Sequence, residues 1–312
     1  MAMAMQWQWL QLGRSCTVRA YAKINLTLDV LGRRADGYHA LATVMQTVDL
    51  YDTLSLTLRE DGQVRLACTQ PELRTEDNLA LRAARLLREH TGEQRGVLIE
   101  LQKRIPSAAG LGGGSSDAAA ALLALTRLWQ LQLTSEELMK LAASLGSDVP
   151  FFLYGGLALC EGRGELVTPL PPCWPAELRW LVLLKPAISV ATAGVFGALT
   201  ARDYSDGSHT QAVCAALQAQ RMPDLSHLHN GLERGVLERY AEVAAGRAAL
   251  LEAGAPFVRL SGSGPTLFTA LANLEEAHRL WLRLHKQGYE VYLTQAVSPS
   301  SASLTLAAVA AR

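Results

Sequence analysis

Four short segments of this 312-residue chain carry residue types and spacings that chemistry can use. The richest is 106–125 (PSAAGLGGGSSDAAAALLAL), where Gly110, Gly112, Gly113 and Gly114 precede Ser115 and Ser116 and an alanine-rich helix former follows at once. Glycines without a Cβ let successive backbone N–H groups point into one concavity. A helix N-terminus just behind them adds orphan donors and the positive end of its dipole. The product is a cradle for phosphate oxygens. It is neither a Walker A loop, having no Gly-Lys-Ser/Thr, nor a G-x-G-x-x-G turn, because Ser115 takes the sixth position. The plainer alternative is a flexible glycine turn capped by Ser116. The two serines serve either as caps or as hydroxyl ligands for phosphate or Mg2+.

The second segment is the run 20–30 (AYAKINLTLDV) with the GRRADGYH that follows it. Alternation puts Ala22, Ile24, Leu26, Leu28 and Val30 on one face and Tyr21, Lys23, Asn25, Thr27 and Asp29 on the other, the pattern of a half-buried strand. Side chains two apart leave the same face about 7 Å apart. Lys23 and Asn25 therefore either hold a polar substrate together or face solvent; Tyr38 and His39 follow in the next loop. The third segment, LGSDVPFFLYGG, sets Asp148 among apolar neighbours just past a helix, as an N-cap or as a general base. The fourth, LSGSGPTLF, flanks Ser263 with Gly262 and Gly264, either as a hairpin turn or as backbone approaching a ligand. His227 and His229 stand one residue apart. A metal site there needs further ligands that the neighbouring sequence does not supply, so a surface role is expected.

These segments need positioning. Strands are expected at 20–30, 53–59, 63–68 and 96–101, and a helix at 78–90. Another helix runs from Asp117 through DAAAALLALTRLW, and Thr134 with Glu137 has capping-box spacing for one that Gly146 ends. Pro169, Pro171, Pro172 and Pro175 then break the chain. Beyond them come a strand at 178–184, a helix at 189–200, a polar loop at 202–210 and Ala/Leu-rich helices to about 253. Strands at 257–260 and 266–271, a helix from Asn273 to near Gly288 and a late strand complete the chain. The mixture suggests an α+β protein of two domains. The expected divisions are an extension over 1–18, a domain carrying the glycine loop over 19–168, and a second domain over 169–312.

Composition excludes several classes. Basic and acidic residues number 29 each, so the overall charge gives no electrostatic footprint for nucleic acid. No stretch of about 18 apolar residues is present, so no membrane-spanning helix is expected. The start lacks the basic and apolar regions of a secretory signal. Five scattered cysteines, none in C-x-x-C, argue against a disulfide scaffold or a cysteine zinc site. A reducing cytoplasm is the expected setting. Only five of the 29 basic residues are lysines, so Lys23 and Lys103 beside motifs draw attention.

The four segments, taken in chain order from about Arg19 to about Ala270, resemble the GHMP kinases, a family of small-molecule kinases. The glycine loop resembles the family's ATP loop and LSGSGPTLF its third motif. AKINLTLDVLGRRADGYHAL narrows the resemblance to the branch acting on the 2-hydroxyl of 4-diphosphocytidyl-2-C-methyl-D-erythritol, on the non-mevalonate route to isoprenoid precursors. The resemblance implies a ribosomal-S5-like N-terminal domain, a ferredoxin-like C-terminal domain, and ATP with Mg2+ as cofactors. It implies Asp148 as catalytic aspartate with Lys23 beside it, and Asn25, Tyr38, His39 and Phe196 on the substrate side, with Tyr38 and Phe196 sandwiching the cytosine. It implies an ATP site of Lys103, Pro106, Ser107, Ala108, Ala109, Gly110, Leu111, Gly112, Gly113, Gly114, Ser115 and Ser116. The metal ligands stay open. The expected partner is the small-molecule substrate, with no nucleic acid and no membrane. The chain is expected to be a monomer or weak homodimer in a bacterial cytoplasm rather than a plastid.

Overall fold

The computed structural model describes residues 4–6, 9–297 and 303–305. A short ribbon pairs β1 (Ala4–Gln6) with β13 (Ser303–Thr305). The first large sheet has seven strands: β2 (Trp9–Leu12), β3 (Ser15–Arg33), β4 (His39–Arg59), β5 (Val64–Cys68), β6 (Gly96–Gln102), β7 (Leu157–Gly162) and β8 (Leu166–Pro169). Its spine is the long hairpin β3–β4. The far half of β4 pairs with β6, the near half with β7, and only β5 and β6 run parallel. The expected strands at 20–30 and 53–59 are thus pieces of two much longer ones. Residues 39–52 were not expected to be extended. They are buried on both faces over most of their length and so lack simple alternation. The expected extension 1–18 also differs: residues 9–12 pair with 15–18, and Cys16 and Val18 lie in the core.

One face of this sheet carries α1 (Leu79–Thr91), α2 (Gly113–Leu128), α3 (Ser135–Leu145) and α4 (Val149–Tyr154). Val18, Ala20, Leu54, Leu56 and Ile99 pack there against Leu87, Leu122, Leu125 and Phe151. Burying each large aliphatic contributes about 1.5–3 kcal/mol. Ala118, Ala119, Ala120 and Ala121 are all fully buried, so α2 lies close to its neighbours. A larger side chain there would overpack at a cost of about 1–3 kcal/mol.

The period-two run of β3 serves three different cores, because bulges interrupt it after Tyr21, after Asn25 and after Val30. Val18 and Ala20 join the helix-covered core, Ala22, Ile24 and Leu26 a second core shared with Leu181, Leu183 and Phe268, and Leu28 and Val30 a third. The strand is therefore buried on both faces, not half-buried. The bulge at Leu26 also separates residues expected on one face. Lys23, Asn25 and Leu28 line a cleft, whereas Thr27 and Asp29 turn to the other side and bond Thr210.

The second sheet contains β9 (Trp180–Lys185), β10 (Arg259–Leu260), β11 (Leu267–Leu271) and β12 (Glu290–Gln295), antiparallel in the order β10-β11-β9-β12. Between β9 and β10 lie α5 (Thr192–Gly197), α6 (Ser208–Gln218), α7 (Glu233–Arg239) and α8 (Ala241–Glu252); α9 (Leu274–Lys286) joins β11 to β12. With the intervening helices counted as one crossover, this is the βαββαβ arrangement of a ferredoxin-like domain. The helix expected at 189–200 shrinks to six residues. The loop expected to reach 210 ends earlier, because Gly207 at φ +84° and the Asp206 carboxylate, accepting from Ser208 N, start α6 at Ser208.

Candidate active site

A cleft of about 1170 Å³ opens between the two sheets' connecting segments. Its floor is the glycine loop running into α2. Ser116 N donates to Gly112 O, the first intrahelical bond, so the amides of Gly113, Gly114 and Ser115 have no helical partner. No side chain caps them. Three donors and the helix dipole therefore face the cleft, where an anion completes them. Ser116 is not the cap: it is fully buried and its Oγ has no hydrogen-bond partner.

The loop's shape depends on close backbone approach. A Cβ on Gly110, at φ +75°, would stand 2.2 Å from Ser261 O. A Cβ on Gly112, at φ +71°, would stand 2.7 Å from Phe152 Cζ. The LSGSGP turn grips the loop from the second half of the chain: Ser261 Oγ donates to Gly110 O at 3.0 Å and Thr266 N to Ala109 O at 3.3 Å. Asn230 holds that turn, its Nδ2 donating to Leu260 O at 2.9 Å and Gly262 O at 2.8 Å. Lys23 N donates to Leu111 O at 3.0 Å and ties the loop to β3.

Lys23 and Asp148 meet beside the cradle. Lys23 Nζ lies 3.6 Å from Asp148 Oδ2 and donates to Asn25 Oδ1 at 2.7 Å; Asn25 Nδ2 donates to Thr43 Oγ1 at 2.8 Å. The lysine side chain is 4% exposed and the aspartate 30%, so the carboxylate is the group within reach of a ligand. Asp148 occupies the N-cap position of α4, yet its side chain makes no capping hydrogen bond. Its oxygens are left to the cleft and to Lys23.

Beneath the cradle, Lys103 is held between Asp52 and Asp117, with 2.8 Å to Asp117 Oδ2. Asp52 Oδ1 also accepts from Arg104 N at 2.5 Å and Ile105 N at 2.9 Å, fixing the entry to the loop. Burial pulls the Lys103 ammonium down, but the carboxylates of Asp117 and Asp52 outweigh it and hold the ammonium above its ordinary value. Burial pushes the Asp117 carboxyl up to about 7 against the opposing pull of Lys103. Lys103 thus braces the loop, its ammonium held between Asp52 and Asp117.

At the far end the cleft is aromatic. Tyr38 sits on the β3–β4 turn, where Asp36 Oδ1 accepts from its backbone N at 3.1 Å. The Tyr38 ring is exposed and lies 4.8 Å beneath the Arg163 guanidinium. His39 lies 5.5 Å from Phe196 and 6.0 Å from Tyr204, centroid to centroid. Burial and the nearby Arg33 hold the His39 imidazole below its ordinary pKa.

Of the residues expected in the site, Lys23, Asn25, Tyr38, His39, Lys103, Asp148 and Phe196 all line this one cleft, as do Pro106, Ser107, Ala108, Ala109, Gly110, Gly112, Gly113, Gly114 and Ser115. Leu111 and Ser116 are buried behind it. Several lining residues had no signal of their own. Arg163 belongs to no segment singled out in the sequence, and Tyr204 lies in the stretch expected as a polar loop. Asp77 stands outside the helix expected at 78–90, and Asn78, which opens it, accepts from Ala80 N at 3.0 Å while also lining the cleft.

This fold, with its uncapped helix behind a glycine loop, belongs to a class of small-molecule kinases. The model of the GHMP kinases N terminal domain matches residues 78–156, and that of the GHMP kinases C terminal domain matches residues 214–290. The 4-diphosphocytidyl-2-C-methyl-D-erythritol kinase of Pelotomaculum thermopropionicum is 44% identical over 285 residues, covering 91% of this chain and 98% of the relative. The protein of the same name from Alkaliphilus metalliredigens is 41% identical over 284 residues, covering 90% and 96%. A crystal structure of 4-(cytidine 5'-diphospho)-2C-methyl-D-erythritol kinase superposes with a TM-score of 0.75 at 35% identity, over 90% of this chain and 98% of that one. Homoserine kinase from Cytophaga hutchinsonii shares the fold, with a TM-score of 0.70 at 21% identity over 93% of this chain and 97% of that one. The chain belongs to the GHMP kinases and, within them, to the 4-diphosphocytidyl-2-C-methyl-D-erythritol kinase family. It is an ATP-using kinase by that membership. Among the described residues, no helix is long and apolar enough to cross a membrane.

Proposed function

We propose that this chain moves the γ-phosphoryl group of ATP to the 2-hydroxyl of 4-diphosphocytidyl-2-C-methyl-D-erythritol, with Asp148 as the base. The observation that carries the reading is the Lys23–Asp148 pair, set 3.6 Å apart beside the uncapped N-terminus of α2 in the same cleft. Phosphoryl transfer asks mainly for positioning and charge stabilisation. The amides of Gly113, Gly114 and Ser115 would take the phosphate oxygens, with Lys103 and Asp52 bracing the loop from below.

Asp148 accepts the hydroxyl proton as the acceptor oxygen bonds to the γ-phosphorus. The bond from that phosphorus to the β,γ-bridging oxygen breaks, and ADP leaves. Lys23 supports the charge developing on the acceptor oxygen. Tyr38 and Phe196 offer ring faces to the cytosine, and His39, with its depressed pKa, presents a neutral edge to it.

Mg2+ favours hard oxygen donors and keeps several waters. Ser115 and Asp148 both line the cleft and carry oxygen donors that fit such an ion, with Ser115 as the protein residue that would hold it beside the phosphates. Bound there, the ion would share the phosphate charge.

The test is ADP release with ATP, Mg2+ and 4-diphosphocytidyl-2-C-methyl-D-erythritol, with homoserine and mevalonate run in parallel. Turnover is expected only with the cytidylated alcohol. Asp148→Asn should lower kcat about 10²–10⁴-fold with little change in ATP affinity. Turnover with another alcohol instead would discard the cytosine roles of Tyr38, His39 and Phe196, and wild-type turnover in Asp148→Asn would discard the base.

A further inference from the structure

The kinase reading uses none of Asp29, His209 and His229, and the tertiary structure brings them together. We infer that they form a binding site for one divalent transition-metal ion of the Zn2+ type, on the side of β3 turned away from Lys23 and Asn25. One ligand atom from each of the three lies within 4.8 Å of those of the other two. Asp29 comes from β3, His209 from the first turn of α6, and His229 from the segment after the 3-10 turn Leu225–His227. The sequence shows His229 only with His227. The missing ligands arrive from two distant segments, so the surface role expected for this pair gives way at His229.

Two imidazoles and one carboxylate suit an ion of borderline softness such as Zn2+. Ligand atoms around such an ion, bound at about 2.0–2.2 Å, stand roughly 3.3 Å apart in a tetrahedral shell. The cluster must therefore tighten by at most roughly 1.5 Å, a movement that rotation of the two partly exposed histidine rings has to provide. The rings are already stacked, with centroids 4.3 Å apart and planes at 20°.

Asp29 is fully buried. Among the described residues its side chain accepts from neutral donors, Ser205 Oγ to Oδ1 at 2.7 Å and Thr210 N to Oδ2 at 2.8 Å. No Lys or Arg pairs with it among the described residues. A buried carboxylate without a counter-charge is costly, and a bound cation removes that cost. An ionised carboxylate has about four acceptor sites, so both bonds can persist while an oxygen ligates. In that arrangement Ser205 and Thr210 orient the ligand. His209 Nδ1 is buried with no hydrogen-bond partner, a nitrogen that a metal would satisfy.

An ion here ties β3 to α6 and to the segment ending at Asn230. Asn230 in turn holds the turn that grips the glycine loop.

The test strips the full-length chain with a chelator, dialyses it against buffered Zn2+, counts bound ions, and repeats the titration with Co2+ to follow its visible absorption. About one tight equivalent per wild-type chain is expected, with an absorption band from histidine-ligated Co2+ and a Zn2+-dependent rise in Tm. His209→Gln and His229→Gln should each weaken binding by at least about tenfold, and together abolish the Co2+ band. His278→Gln on α9 should leave uptake unchanged. These substitutions spare Asp29, whose bond to Thr210 N supports the fold. Absence of Zn2+ uptake by the wild-type chain overturns the site without reference to any variant. Uptake undiminished in the double variant overturns it equally. Kinase activity does not enter either readout, so this result stands apart from the assignment of substrate.

Discussion

Lys23 Nζ lies 3.6 Å from Asp148 Oδ2 and 2.7 Å from Asn25 Oδ1, so one buried ammonium joins β3 to the residue that opens α4. The space around it is tight: a Cβ on Gly262 would stand 3.0 Å from the same nitrogen. The pair is therefore a fitted contact rather than a loose surface ion pair.

Lys23→Met should lower kcat by at least about tenfold and leave ATP binding near its wild-type value, because the ammonium serves charge that develops during transfer. Lys23→Arg should not restore the rate, since a planar fork does not fit where a compact ammonium does. Steady-state kinetics with an ATP titration check both, and full rescue by arginine would show that only charge is needed.

Gly112→Ala should lose more stability than Gly92→Ala. Both glycines have φ near +70°, so both substitutions carry a backbone penalty of roughly 1–2 kcal/mol. The Gly112 Cβ also meets Phe152, whereas that of Gly92 meets nothing within 4 Å. Denaturant melts give the difference, and ATP affinity should fall only in the Gly112 variant. Equal losses would mean that the loop can move away from Phe152.

Phe196→Ala should raise the KM for the cytidylated acceptor more than it lowers kcat, the pattern of lost ground-state binding. Arg163→Ala should act in the same direction but more weakly, by removing the guanidinium that lies 4.8 Å over the Tyr38 ring. Cation–π contacts at exposed sites contribute about 0.5–1 kcal/mol, or a few-fold in KM. Acceptor titrations at saturating ATP separate the two effects.

The Asp117 carboxyl, pushed up to about 7 by burial, sets a pH dependence of stability. Between its ordinary value of 3.8 and about 7 the folded chain holds a proton on this group that the unfolded chain has released. Stability from this group is therefore present at low pH and is lost as pH rises through that window. Asp117→Asn removes the titration, so its Tm should fall less than that of the wild type between about pH 5 and about pH 7.5. Parallel slopes for the two chains would place the buried proton elsewhere.

Much of the site was legible because backbone chemistry is local. The glycines and serines at 110–116 and the alanines behind them predict a phosphate cradle wherever they fold, since the donors come from consecutive amides. The Thr134–Glu137 box was legible for the same reason, and its two reciprocal bonds are present. Legibility failed where one residue shifts a whole strand. The bulge at Leu26 leaves Lys23 and Asn25 in the cleft but sends Thr27 and Asp29 to α6, and a bulge is invisible to period-two counting. It failed too at Asp148, whose side chain makes no capping hydrogen bond and lies beside Lys23, neither of which local spacing records.

The sequence by itself determined the glycine-loop pattern, the starts of α1, α3 and α9, the two-part α+β organisation and the family resemblance. All of these are carried by residue type and short-range order. Only the tertiary structure decided which other distant groups meet: Lys103 with Asp52 and Asp117, Arg163 with Tyr38, and Asp29 with two histidines. Each depends on strand bulges and on packing between the two halves, and local spacing along the chain contains no record of either.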